Sequence, residues 1–277
     1  MELGVSGWGA THQTWAIDPE PLIVFTAWLG DRDTRLRDEA TDWCIRYSSR
    51  LSRVRLKNLV NDQPHDVQKA FGTFAATVSH HAGVTWPRAT TKRPFRVTGK
   101  STLPPLDRPS LAWLRLRALF GLGARTEVLR YFLSHPGASA SAAWLANWSG
   151  YAKRVVADAC EMLHQAGELR MRTIGNRFAY SLAPGALVEG FEGLPPVLPN
   201  WTAVCNVARE LAELEAQRSS VKTLPVKVKR TLAAIEDDLD DVDAEAPESA
   251  RGHELWPAVV DLDRRTLRRW AVGRWTA

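Results

Sequence analysis

Apolar residues in the first third of the chain recur at helical spacing, and no stretch there alternates as a strand would. Asp18 followed by Pro19 reads as an N-cap with proline at the first helical position. It opens a helix that carries Leu22, Ile23, Phe25, Trp28 and Leu29. A second helix from Thr34 aligns Leu36, Ala40, Trp43, Cys44 and Tyr47, and Ser48-Ser49-Arg50-Leu51 forms a tight connector. A third helix covers about Ser52 to Val60, and a fourth follows Pro64 with Val67, Phe71, Phe74, Ala75 and Val78 on one side. Residues 18–85 are therefore expected to form a helical N-terminal domain. The pattern stops at Trp86. Pro87, Pro94, Pro104, Pro105 and Pro109 exclude a helix or central strand from 86–109, while Arg88, Lys92, Arg93, Arg96, Lys100 and Arg108 face one acid, Asp107. This segment predicts an extended basic linker lying over the surface.

Residues 110–184 change period partway. Ala124 to Ser134 is a helix with Val128, Leu129, Phe132 and Leu133 on one face, closed by His135-Pro136-Gly137. Ser139 or Ser141 can cap a short helix containing Ala142, Ala143, Leu145 and Ala146. The turn Asn147-Trp148-Ser149-Gly150 leads to a third helix, about Tyr151 to Gln165, with Ser149 as its expected N-cap. Val155, Val156, Ala159, Met162 and Leu163 are its expected inner face, and Gly167 its left-handed terminator. A period of two then takes over. Leu169, Met171, Phe178, Tyr180 and Leu182 are expected to face the helices, leaving Arg170, Arg172 and Arg177 on the other side of a hairpin that turns at Gly175-Asn176.

Helix, short helix, turn, helix, basic hairpin: this run resembles the winged helix-turn-helix superfamily of bacterial transcription regulators. Trp144-Leu145-Ala146 and His164-Gln165-Ala166-Gly167-Glu168-Leu169 carry the likeness, which covers about 60 of 277 residues. The resemblance implies a mainly α fold with a small β-hairpin wing, a recognition helix in the major groove of double-stranded DNA and a wing on the backbone. Mapped onto this chain, the DNA-binding residues are Ser149, Tyr151, Lys153, Arg154, Arg170, Arg172, Asn176 and Arg177. The implied function is a transcriptional regulator, acting as a homodimer. The alternative is a winged helix that docks a partner protein, as a scaffold or as in antitoxins, which the layout loosely resembles. The N-terminal domain is then the candidate partner-binding part. Its second and third helices also weakly echo a helix-turn-helix, with Arg46, Arg50, Arg53, Arg55 and Lys57 and no acid from 46 to 57, although a plain helical bundle with a basic rim is the preferred reading.

Residues 200–277 predict further helices. Trp201 to Ser219 bears the stripe Val204, Val207, Ala208, Leu211 and Leu214, suited to a dimer contact, an interdomain contact or core packing. Val226 to Leu239 is expected to be helical, and 236–248, with eight acids and no Lys or Arg, a solvated loop. A last helix near Arg264 to Val272 carries Arg264, Arg265, Arg268 and Arg269.

Charge sharpens this picture. The net charge is +5 and the pI about 9.3. Leu111 to Ala186 holds nine basic and four acidic residues, so this segment alone matches the charge of the whole chain. Cys44, Cys160 and Cys205 are scattered, form no metal-type or disulfide spacing, and read as buried thiols of a cytoplasmic protein. No apolar run is long enough for a membrane span. Gly121-x-Gly123 does not follow a strand, and His80-His81 is expected to point to opposite sides of its helix, so no nucleotide loop, metal site, catalytic set or cofactor is expected. The expectation is of a non-enzyme.

Overall fold

A computed structural model describes residue 3 and residues 15–186, 199–216, 224–242, 244, 247 and 255–271. It is mainly helical with one small three-stranded antiparallel sheet. The N-terminal helices follow the apolar pattern closely: α1 (Pro19–Leu29), α2 (Thr34–Tyr47), α3 (Arg53–Asn61) and α4 (His65–Ala82). Their stripes meet in one core that includes Trp28, Trp43, Leu56, Phe71 and Phe74. Ser52 caps α3 by accepting from the Arg55 N–H at 3.3 Å. Asp18 stands at the α1 N-cap position but makes no capping bond, because its carboxylate is bound to Arg55 instead.

Residues 86–109 lie extended over this bundle, as their prolines require. The strap is anchored at both ends of its course. Trp86 is sunk into the α4 core, and buried Asp42 accepts the N–H groups of Thr98, Gly99 and Ser101 and the Ser101 hydroxyl. Burial alone would push the Asp42 carboxyl up, but these donors outweigh it and hold the pKa below the ordinary value. His80 and His81, expected on opposite sides of α4, instead stand edge to face at 4.9 Å, with Lys92 of the strap 2.8 Å from His80.

The central unit begins with a helix that the apolar pattern does not reveal, α5 (Ala112–Phe120), and continues with α6 (Ala124–Ser134), β1 (Ala140–Ser141), α7 (Ala142–Ser149), α8 (Lys153–Gln165), β2 (Leu169–Ile174) and β3 (Arg177–Leu182). The expected two-stranded hairpin is present, and β1 adds a third strand, in the order β1-β3-β2. The register pairs Leu169 with Leu182, Met171 with Tyr180 and Ile174 with Arg177, while Ala140 pairs with Tyr180. Val128, Phe132, Leu145, Val156, Leu163 and Tyr180 share one core.

A third core joins Trp15 and Ile17 to the C-terminal helices α9 (Trp201–Ala216), α10 (Leu224–Ala234), α11 (Glu236–Asp241) and α12 (Leu255–Ala271). The α9 stripe is consumed here, with Val207 fully buried, so its dimer reading gives way to core packing. Residues 217–219 lie outside the described part. The acidic run is not all loop: Glu236, Asp237 and Asp238 open α11, where acids complement the helix dipole, and Leu239 packs inward. Residues 243, 245, 246 and 248 of that run, and the side chains of Arg268 and Arg269, lie outside the described residues. All three cysteines are free and buried, and burial pushes Cys160 up to about 12. Among the described residues, no helix is long and apolar enough to cross a membrane.

A buried ionic cluster joins the N-terminal helices to the central unit. Arg55 of α3 donates to both oxygens of Asp18, at 2.9 and 2.7 Å, and to Glu20 of α1 at 2.6 Å. Arg117 of α5 donates to both Glu20 oxygens, at 2.7 and 2.9 Å, and to Glu127 of α6 at 3.0 Å. Arg130, one turn on from Glu127, pairs with it at 3.2 Å. Trp113 is the shared platform: its indole N–H donates to Glu127, and Arg55, Arg117 and Arg130 all lie over its ring. Burial alone would raise the Glu20 pKa, but Arg117 and Arg55 outweigh it and bring the value down to about 2. Burial pushes Asp18 up to about 6, against Arg55, with Glu20 adding to the rise.

Three outcomes are expected. Glu20→Gln leaves Arg55 with Asp18 and Arg117 with Glu127 as their remaining carboxylate partners, one negative charge short in a buried cluster, and should cost about 3–5 kcal/mol of unfolding free energy at neutral pH. Glu20's folded pKa of about 2 lies below its ordinary 4.5, so its contribution is complete above pH 4.5 and fades as pH falls toward 2. The gap between variant and wild type, measured by denaturant titration across pH, should therefore narrow over that window. Asp18 acts with the opposite sign: its contribution is complete below pH 3.8 and is lost as the pH rises through about 6. Asp42→Ala should release the strap and speed tryptic cleavage at Arg96 and Lys100 by about tenfold, read by timed proteolysis and mass spectrometry; an unchanged cleavage rate would show that Asp42 does not anchor it.

Candidate nucleic-acid interface

The surface of interest is built on α7, the turn after it, α8 and the β2–β3 ribbon. Ser141 caps α7 by accepting the Trp144 N–H at 3.2 Å. The helix ends at Gly150, whose φ of +72° is the left-handed conformation that a tight helix stop needs. Helix α8 starts at Lys153, two residues later than its sequence pattern implies. Ala152 occupies the N-cap position and has no side-chain cap, so the α8 N-terminus keeps free N–H groups and the positive end of its dipole.

The predicted contact residues divide into two groups. Lys153, Arg154, Arg170, Arg172, Asn176 and Arg177 are all exposed. Ser149 and Tyr151 are not part of that surface. Ser149 closes α7 and is 1% exposed; its hydroxyl donates to the Ala146 carbonyl at 3.4 Å. Its own carbonyl accepts from Arg55 Nε at 2.9 Å. Tyr151 turns its hydroxyl to Ser52 at the start of α3, 2.7 Å away. Asn58 of α3 completes the grip by donating to the Gly150 carbonyl at 2.7 Å. The N-terminal bundle thus holds the α7–α8 turn from behind.

Helix α8 buries Val156, Ala159, Cys160 and Leu163. Val155 and Met162, expected inward, are 48% and 47% exposed, because the packed arc is centred on the other four residues. Arg154, Asp158, Glu161 and Gln165 recur at helical spacing on the outward side. Only its first turn is cationic; the next two carry acids.

The ribbon holds the stronger charge. Cross-strand register sets Arg172 against Ala179 and Arg170 against Ser181, and Ile174 pairs with Arg177. Arg170, Arg172, Ile174 and Arg177 therefore share one face. Gly175 has φ +57° while Asn176 stays out of the left-handed region, the pattern of a II′ hairpin turn. Phe178, expected against the helices, is 53% exposed, because the ribbon tip runs beyond the core that covers Leu169 and Tyr180. His164 of α8 sits with Nδ1 2.9 Å from the Leu169 carbonyl and fixes where the ribbon leaves the helix.

Charge counting along the sequence overstates this surface. Arg117, Arg130 and Glu127 belong to the ionic cluster, and Arg55 of the basic α2–α3 span is buried there too. Setting aside the three from residues 111–186 leaves seven basic residues against three acids, still a cationic excess. Sequence reasoning missed a second feature beside α7. Tyr131 stacks on His135 with ring centroids 4.5 Å apart and meets Trp144 at 4.7 Å and Trp148 at 5.2 Å. The four-residue spacing of Trp144 and Trp148 on one short helix was the available signal.

Comparison of the chain with family models, with curated proteins and with solved structures finds no match in any of the three.

Proposed function

We propose that residues 124–183 act as a winged helix that binds double-stranded DNA, with the first turn of α8 entering the major groove and the β2–β3 ribbon lying on the phosphate backbone, and that the chain is a DNA-binding transcriptional regulator. The observation that carries this reading is the joint exposure of Lys153, Arg154, Arg170, Arg172 and Arg177 on two elements held rigidly together. Lys153 and Arg154 flank an uncapped helix N-terminus, an arrangement that favours phosphate and guanine acceptors. Strand β1 pairs with β3 directly before α7, which ties the ribbon to the helix pair and fixes the distance between the two contact elements.

A second reading, docking of a partner protein, is favoured by Val155, Met162, Ile174 and Phe178, apolar side chains 47–64% exposed on the same elements. A salt titration separates the two. Binding of the purified chain to a labelled duplex from upstream of its own gene should fall steeply with salt, on a log–log slope of about −0.9 per phosphate contacted. Arg172→Ala with Arg177→Ala should reduce that slope by about 2, and Arg154→Ala should weaken binding by about 1–3 kcal/mol. Arg264→Ala with Arg265→Ala, on exposed positions of α12, should leave the slope unchanged. Absence of binding at low salt, or a slope insensitive to the ribbon arginines, would return the surface to protein docking.

A further inference from the structure

Behind the α7–α8 turn lies a cleft of about 250 Å³ between α3, the end of α7 and the start of α9, and its floor is the ionic cluster. Arg130 forms part of that floor and is 2% exposed. Its guanidinium lies over the Trp113 ring and 4.2 Å from the Trp148 centroid. Its Nη2 pairs with Glu127, but Nε and Nη1 are buried without a hydrogen-bond partner, and Asp18 is 3.9 Å from Nη1, beyond bonding distance. Of the other charged residues lining the cleft, Asp62 is exposed, while Asp18 and Arg55 are spent within the cluster. Both Asp18 oxygens accept from Arg55, and the Arg55 donors go to Asp18, Glu20 and the Ser149 carbonyl. A buried guanidinium with two unused donors leaves a desolvation cost that an acceptor from outside would offset.

We propose that this cleft binds a small monocarboxylate with a flat apolar body, its carboxylate accepting from Arg130 and its body lying against Trp148 and Trp201. The unused donors of Arg130 call for an acceptor, and charge sets the upper limit at a single negative charge, since Asp62 also lines the cleft. The cluster already opposes three carboxylates to three guanidinium groups, so a dianion would meet excess negative charge, whereas a planar carboxylate suits a guanidinium donor. The apolar body follows from the indole walls. Access has a structural consequence. Arg130 Nε and Nη1 are buried, so a ligand reaches them only if a lining side chain shifts, and Trp148, whose ring centroid is 4.2 Å from the guanidinium carbon, is the candidate. Trp148 directly precedes Ser149 and Gly150, the two residues whose carbonyls α3 holds.

The test uses the full chain free of nucleic acid, so its outcome is independent of DNA binding. Benzoate and phenylacetate are titrated with tryptophan fluorescence and calorimetry as readouts, beside benzamide, which keeps the shape and removes the charge. Saturable 1:1 binding of a carboxylate, with benzamide weaker by about tenfold or more, is expected. Asn147→Trp, at an exposed position on the cleft rim outside the ionic cluster, should block entry and weaken binding by about tenfold at an unchanged melting temperature. Arg130→Lys should weaken it similarly; if that variant unfolds, Asn147→Trp decides. No saturable binding of either carboxylate up to about 10 mM, equal binding of benzamide, or indifference to Asn147→Trp would each overturn the proposal.

Discussion

Everything in the arrangement of the N-terminal and central units depends on the pairing of three buried carboxylates with three buried guanidinium groups. Asp18 and Glu20 come from the start of α1, Arg55 from α3, Arg117 from α5, and Glu127 and Arg130 from α6. Such clusters add little net stability relative to apolar packing, because desolvating each ion costs several kcal/mol. Their effect is on selection among arrangements. An apolar interface can slide by an ångström at modest cost. A bidentate Arg55–Asp18 pair and an Arg117 fork shared by Glu20 and Glu127 cannot, since a shift leaves a charge buried and unpaired. The cluster therefore acts as a registry device that fixes one docking of the bundle on the central unit.

That registry is passed outward through backbone groups. Arg55 serves the cluster with its terminal nitrogens and the Ser149 carbonyl with Nε. Asn58, one turn later, takes the Gly150 carbonyl, and Ser52 meets the Tyr151 hydroxyl. Three consecutive residues of the α7–α8 turn are thus fixed by α3. Preorganisation of this kind lowers the ordering cost of any binding event at α8 or the ribbon, because the turn is already immobile before a partner arrives.

What could be read from the sequence was the part decided locally. The four N-terminal helices, the capped short helix, Gly167 as terminator and the Gly175-Asn176 hairpin depend on neighbours within a few residues, and the structure has them. Helix α5 is not legible in the sequence because Arg115 and Arg117 interrupt its apolar face, and one of those arginines is buried by partners far away in sequence. Strand β1 is two residues long, too short for any period to register. Ser149 and Tyr151, expected among the DNA contacts, lie against the bundle instead because a residue's exposure at a turn depends on what packs behind it, here α3, more than ninety positions earlier. The cluster itself left one clue: Glu20 stands in a strongly apolar helix, where a lone carboxylate is tolerated only with a partner.

The geometry also limits what α8 could read if it enters a major groove. Arg154 lies on its outward side in the first turn, but Asp158 and Glu161 follow on the same side, and carboxylates oppose the phosphates that line a groove. A deep lengthwise insertion would bring both acids among those phosphates, whereas an end-on approach leaves them clear and lets Lys153, Arg154 and the free N–H groups of the helix start lead. An end-on helix touches few base pairs. The larger share of the attraction then falls to Arg170, Arg172 and Arg177, which the ribbon carries on one face, and groove width and backbone shape become the features such a surface can sense. The charge order along α8 and the arginine face of the ribbon favour the same tilted approach, and it is the approach for which holding the turn rigidly, as α3 does, matters most.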